Sequence, residues 1–268
     1  MKEANFYDSQ YGHLTASVQT DIRRETYGED LGQASWITLR EALEWFQRLG
    51  LGPGQKALEV ACGSGGVALR MARETGSSCV GVDINVHGIN AANQLAAREG
   101  MASLLSFQVV DAAGQLPFPD ESFDAVFCND AINHLPGRLG VLTDWYRALK
   151  PGGRLLFTDP IVVTGQLSNE EMRLRSSIGF FLFTPVGHNE RLLEQSGFTI
   201  REVREVTEAV ASVSRKWRDA RARRREHLLA LEGEQSYDGF QRFLDTVCTL
   251  ASEKRLSRFM YLATKPSL

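Results

Sequence analysis

Residues 59–66 read Glu-Val-Ala-Cys-Gly-Ser-Gly-Gly, a glycine-rich turn between an apolar run and a segment of helical period. Backbone N–H groups at such a turn, with the dipole of the following helix, hold an anionic group. Glycine lets a ligand approach where a Cβ would clash. Three more polar residues each follow a short apolar run: Asp83, Asp111 and Asn129. Asp83 lies 20 residues beyond Gly63, the spacing at which a carboxylate accepts bonds from ribose hydroxyls. A buried carboxylate is costly unless hydrogen-bonded, so an acid at a strand end binds something or caps the next helix. The glycines alone do not choose the ligand, because Gly63-x-Gly65-x-x-Ala68 also satisfies a loose dinucleotide fingerprint. His134 follows Asn129 within the same loop; an imidazole titrates near neutrality and is the candidate general base. Asp130 beside it is the candidate partner of a cationic acceptor.

Strands must deliver these residues to one edge. Apolar or β-branched runs predict strands at 56–62, 79–83, 105–110, 123–128, 154–158, 198–206 and 258–265. Helical periodicity predicts helices at 36–49, 66–75, 86–98, 139–149, 189–196, 207–232 and 237–253. Short unalternating strands between helices imply a parallel sheet covered on both faces. The expected fold class is therefore α/β, a Rossmann-like doubly wound sheet whose ligand edge is covered by a helical cap. Residues 1–50 form an N-terminal lid or cap segment, and 51–268 the main domain. Within the latter, 160–190 is a substrate-cap insertion and 207–253 supplies extra helices.

Bulk properties narrow the classes. The chain has 268 residues, 43% hydrophobic and 24% charged, with a formal net charge of -3, ordinary for a globular protein. That balance argues against wholesale nucleic-acid binding, and no apolar run approaches the roughly 20 residues of a membrane span. The N-terminal stretch is polar with no secretory apolar core. Cys62, Cys79, Cys128 and Cys248 are scattered without metal-ligand spacing, so no metal is expected and a reducing, cytoplasmic home fits. One charge run stands out, 215–225, with seven bases against one acid. It suits an RNA or an acidic partner, a solvated helix face, or a homodimer contact.

In this order, Glu59-Val-Ala-Cys-Gly63-Ser-Gly65-Gly66, Gly81-Val-Asp83, Val110-Asp111-Ala112, Leu116-Pro-Phe-Pro-Asp-Glu-Ser-Phe-Asp124 and Leu149-Lys-Pro-Gly-Gly153 resemble the class I S-adenosylmethionine (SAM) dependent methyltransferases. The resemblance covers about 50–160. The stretch Tyr27-Gly28-Glu29-Asp30-Leu31-Gly32-Gln33 is similar to the N-terminal segment of small-molecule methyltransferases of the sarcosine and dimethylglycine type. The resemblance implies SAM as cofactor and a final antiparallel strand at the sheet edge. It implies that Ala61, Gly63 and Gly65 line the methionine end of SAM and that Glu59 holds its ammonium. By the same resemblance Asp83 takes the ribose hydroxyls, Ile84 packs on the adenine, Asp111 accepts from the adenine amino group beside Ala112, and Asn129 sits near the transferred methyl.

Methyl transfer from a sulfonium is an in-line displacement, so an acceptor lone pair must be aligned behind the methyl in a dry pocket. Orientation of this kind lowers barriers by about 7–11 kcal/mol. Tyr7, Tyr11, Gln33, Trp36 and Phe181 are expected to wall a small-molecule N or O acceptor, with Tyr11 and Trp36 closing over SAM. The stretch after Asn129 lacks the two prolines of the signature for base amino methylation. Three rival readings remain: an RNA or protein methyltransferase using helix 215–225, a non-catalytic SAM-binding regulatory protein, and a nicotinamide enzyme.

Overall fold

The computed structural model describes residues 6–267. The chain opens with three helices, α1 (Phe6–Gly12), α2 (Ser17–Tyr27) and α3 (Leu39–Leu49). Strands and helices then alternate: β1 (Lys56–Val60), α4 (Gly66–Thr75), β2 (Ser78–Asp83), α5 (Val86–Arg98), β3 (Leu105–Val109) and β4 (Phe123–Cys128). A single 3-10 turn, Ile132–His134, leads to α6 (Arg138–Ala148) and β5 (Leu149–Val163). Next come α7 (Asn169–Arg175), β6 (Thr184–Pro185), α8 (His188–Gln195) and β7 (Thr199–Glu205). The chain ends with α9 (Thr207–Ala222), α10 (Arg225–Glu232), α11 (Glu234–Ser252) and β8 (Leu256–Thr264).

The strand order is β3-β2-β1-β4-β5-β8-β7, with β6 paired to β5. The β1–β5 pairs are parallel, and β8 runs antiparallel to both β5 and β7. The final strand is thus antiparallel but not outermost: it inserts between β5 and β7, and β7 takes the edge. Order reverses between β1 and β4, so a crevice opens at their carboxyl ends.

Each sheet face has its own apolar layer. Trp45, Phe46, Met71 and Ile89 lie with α3, α4 and α5 on one face, and Leu142, Trp145 and Leu193 with α6 and α8 on the other. A third cluster joins Ile22 and Trp36 to Trp217, Phe240 and Phe243, so α2, α9 and α11 form one cap.

Among the differences from the sequence reading, four bear on the cap and the surroundings of the crevice. Helix α3 packs on the sheet rather than in the lid: a Thr38–Glu41 capping box starts it and Ala42, Trp45, Phe46 and Leu49 bury one face. The predicted 207–232 helix is two helices, broken at Arg223 and Arg224. β5 runs on to Val163 through a register shift at Pro160, whose missing N–H suits an irregular ladder. The 160–190 insertion holds a helix, α7, opened by a Ser168–Glu171 capping box.

Candidate active site

The loop from β1 to α4 is bent at three positive-φ residues: Ala61 (57°), Gly63 (54°) and Gly65 (76°). Gly65 has no room for a side chain, because a Cβ would lie 2.7 Å from the Phe107 ring and 2.8 Å from Ala92. A Cβ on Gly63 would strike the Tyr11 hydroxyl, which sits over the loop from α1. Ala61 and Asp130 (φ 54°) are non-glycine residues in the left-handed region, at the ends of β1 and β4. Such strain clusters where a site needs it.

Glu59 is 2% exposed and accepts from the Ala68 N–H in the first turn of α4. Its Oε2 is buried without a hydrogen-bond partner, and burial holds its carboxyl well above the usual range. That oxygen, beside a Gly63 covered only by the Tyr11 hydroxyl, marks the loop as a cradle for a cationic donor group once α1 moves.

Asp83 ties the crevice together. Its Oδ2 accepts from Gly63 N–H at 2.8 Å and its Oδ1 from Asn85 N–H at 2.8 Å. Burial raises its carboxyl above the ordinary value, against the pull of these amides. A carboxylate has about four acceptor sites, so these amides and the Ile84 N–H still leave capacity for a hydroxyl. Ile84 is 67% exposed and Val109 53%, an apolar pair left bare at adjacent strand ends. Asp111 is exposed, with Oδ1 on the Ala113 N–H at 3.0 Å, and Ala112 is buried beside it.

On the other side of the switch point, Asn129 donates to Ser35 Oγ at 2.7 Å. Asp130 is fully engaged: Oδ2 accepts from Trp36 N–H at 2.9 Å, and Oδ1 from Thr158 Oγ1 and Arg258 Nε, both at 2.6 Å. Arg258 is wholly buried and its Nη1 reaches Glu41 at 2.7 Å. Asp130 therefore has a resident cation, where the sequence reading gave it a cationic acceptor.

A cavity of about 30 Å³ lies between α1, the insertion and the late helices, with Tyr7, Trp36, Asp130, His134, Arg175 and Phe181 in its wall. That is room for about two waters. His134 Nδ1 lies 2.7 Å from the Phe180 carbonyl, which only accepts, so Nδ1 carries the proton. Nε2 then accepts from the Tyr7 hydroxyl at 3.2 Å. Burial pushes the His134 imidazolium down to about 4 and the Tyr7 phenol up to about 12, so both groups are neutral at pH 7. Phe181 packs on His134 with ring centroids 4.5 Å apart.

Of the expected wall residues, Trp36 lines the cavity and Gln33 does not. Trp36 does not cover the glycine loop: its ring packs on Trp217 and Phe243 in the cap. Gln33 accepts from Leu31 N–H at 2.8 Å and so braces its own loop. Tyr11 lies over the loop. Sequence reasoning missed Arg175 and the Arg258–Asp130 pair. An arginine within the apolar strand 256–264 was the available signal for the latter.

The basic run is matched by acids of the same chain. Arg218 pairs with Asp219 and Asp245, Arg221 with Glu232, Arg223 and Arg224 with Glu25, and Arg225 with Glu234. Five of its seven bases thus serve to join cap helices, leaving little free charge for a polyanion. Among the described residues no helix is long and apolar enough to cross a membrane.

Comparison with known proteins agrees with this geometry. A family model described as a methyltransferase domain matches residues 58–157. The chain is 31% identical over 218 residues to methyltransferase GfsG of Streptomyces halstedii, covering 77% of this chain and 76% of that one. It is 29% identical over 195 residues to phosphoethanolamine N-methyltransferase 1 of Zea mays, covering 73% of this chain but 38% of the plant protein. Among solved structures, phosphoethanolamine N-methyltransferase 2 of Haemonchus contortus in complex with SAM superimposes with a TM-score of 0.79. The two share 26% identity over 96% of this chain and 60% of the nematode chain. With its mostly parallel sheet, glycine loop and antiparallel β8, the chain belongs to the class I S-adenosylmethionine-dependent methyltransferases.

Proposed function

We propose that the chain transfers the methyl group of SAM to a nitrogen or oxygen of a small molecule seated in the cavity beside His134. The observation that carries this reading is the Tyr7–His134 pair, held neutral in an aromatic cavity that adjoins the glycine loop. The two sites meet on α1, where the Tyr7 and Tyr11 rings stack 6.5 Å apart, one on His134 and the other over Gly63. When bound, SAM supplies an electrophilic methyl on a sulfonium.

The chain's own residues do the holding. The unpartnered Glu59 oxygen suits the ammonium end, directly or through water, along the surface of Ala61, Gly63 and Gly65. The remaining acceptor capacity of Asp83 suits a ribose hydroxyl, Ile84 the face of the adenine, and Asp111 with Ala112 its edge. Asn129 stands at the end of β4, between the two sites. Residues 6–35 serve as the lid, and α1 must move for an acceptor to enter so small a cavity.

His134 presents an Nε2 lone pair because its Nδ1–H is fixed on Phe180. A base whose conjugate acid has a pKa of about 4 still takes a proton from a hydroxyl that becomes oxonium-like as the new C–O bond forms. It would not take one from an ordinary ammonium, so with an amine acceptor the pair orients and does not deprotonate. Cys62, Cys79, Cys128 and Cys248 are buried free thiols, consistent with a reducing, cytoplasmic setting.

Relatives named phosphoethanolamine N-methyltransferase and 27-O-demethylrifamycin SV methyltransferase supply an amine and a hydroxyl acceptor for a first screen. Amines and hydroxylated small molecules are incubated with SAM, and S-adenosylhomocysteine (SAH) is measured. Turnover that falls at least tenfold in Tyr7→Phe and His134→Gln, with unchanged SAH affinity, is expected. Turnover unaffected by both changes would remove the acceptor from this cavity.

A further inference from the structure

Buried arginines in this chain come with acids, except one. Arg138 meets Asp159 at 2.7 Å, Arg258 meets Asp130 at 2.6 Å, and Arg221 meets Glu232. Arg175, at the end of α7, is 2% exposed and lines the cavity. Among the described residues no carboxylate lies within ion-pair distance of it, and its Nη1 is buried without a hydrogen-bond partner.

Its surroundings explain how it stays charged but not what it binds. The guanidinium lies over the rings of Phe181 at 4.7 Å and Phe243 at 5.1 Å. Such stacking engages the π face of the cation, whereas its five N–H donors point outward in the plane. The charged and titratable groups that act on it are Tyr7, Asp130 and Asp159. Both carboxylates are already occupied. Asp130 is taken by Trp36, Thr158 and Arg258, and Asp159 Oδ2 by Arg138, Thr184 and Asn189. Burial lowers Arg175 to about 10, which leaves it protonated at neutral pH. A desolvated cation with idle donors in a cavity wall is a half-made ion pair.

Resting on the reading of this cavity as the acceptor site, we infer that Arg175 determines specificity by receiving an anionic group of the acceptor, a carboxylate or a phosphate. The planar fork matches two oxygens of either group. The anion would then anchor one end of the acceptor beside Phe181, leaving its nucleophilic atom to reach toward Tyr7, His134 and the glycine loop.

The test uses the full chain, with and without saturating SAH, titrated calorimetrically with inorganic phosphate, acetate and neutral acetamide. Wild type should bind phosphate or acetate at least tenfold more tightly than acetamide. Arg175→Met should abolish that preference while SAH affinity stays within twofold, and Arg175→Lys should keep part of it. Preference for phosphate marks a phosphate-bearing acceptor, and preference for acetate a carboxylate. No preference for either anion in wild type overturns the inference, as does anion binding that Arg175→Met leaves intact. Failure of wild type to bind SAH counts against the methyltransferase site instead, and the SAH-free titrations still decide on Arg175. Should Arg175→Met not fold, Arg175→Lys decides: anion binding weakened several-fold supports the inference, and undiminished binding overturns it.

Discussion

Acidification should loosen this protein through one buried histidine, His134. His134 has a folded-state pKa near 4, set by burial against Phe181 and the cap, whereas an unfolded chain gives a histidine about 6.5. The folded value is the lower one, so the unfolded chain binds the extra proton. The contribution is whole above pH 6.5 and is lost as pH falls toward 4. At pH 5 the difference amounts to about 2 kcal/mol by linkage, or about 4–8 °C in melting temperature for a chain of this size. Groups other than His134 titrate too, so the comparison must be with a variant. His134→Gln keeps a donor for the Phe180 carbonyl and an acceptor for Tyr7 but does not titrate. Urea unfolding at pH 7, 6 and 5 should show wild type losing about 2 kcal/mol more than the variant. Parallel curves, within about 0.5 kcal/mol, would refute the reasoning, because they would mean that water reaches the ring freely.

Three further outcomes follow from the same geometry. Asp83→Ala should weaken SAM binding at least tenfold by calorimetry, since hydrogen bonds to a charged group contribute about 1.5–3 kcal/mol; unchanged affinity would exclude the ribose contact. Arg258→Met leaves Asp130 as an unpaired buried charge and should destabilise by about 3–5 kcal/mol in urea, whereas a neutral result would mean that Thr158 and Trp36 satisfy Asp130 unaided. Gly65→Ala forces a Cβ against Phe107 and Ala92 at φ 76° and should cost about 1–3 kcal/mol by overpacking alone, read as a lower urea midpoint.

Where the fold was legible, the signal was local. α5 and β4 lie at their predicted bounds, 86–98 and 123–128, because apolar period and turn residues both act within a few positions. The Ser168-x-x-Glu171 capping box is equally local and marks the start of α7, which lies inside the 160–190 insertion that the sequence reading does not divide. Strand order was less accessible, since the insertion of β8 inside β7 depends on pairings between residues far apart in the chain. The site divided in the same way. Gly63, Asp83 and Asn129 are announced by their positions at strand ends. Arg258 is joined to Asp130 across 128 positions, and nothing near either residue names the other. Arg175 falls in a stretch read only as an insertion, and nothing in its sequence neighbourhood sets it apart from other bases. Only packing shows that no acid accompanies it.

The layout also couples the two halves of the site. No residue of α1 is fully buried, and its main apolar tie is Phe6 on Phe240 with ring centroids 4.5 Å apart, so its opening should be among the cheaper motions of the chain. Polar contacts add to that tie: Tyr7 on His134, Asp8 accepting from Asn85 Nδ2 at 2.7 Å, and Tyr11 over Gly63. Tyr7 and Tyr11 are one helical turn apart and share a face, so a single displacement frees the cavity and the glycine loop together. A ligand that fills the loop must displace the Tyr11 hydroxyl from above Gly63, and the same helix carries the hydroxyl that His134 accepts. On the proposed assignment of the two sites, cofactor binding would be joined to the cavity beside His134 through a seven-residue helix rather than through the sheet.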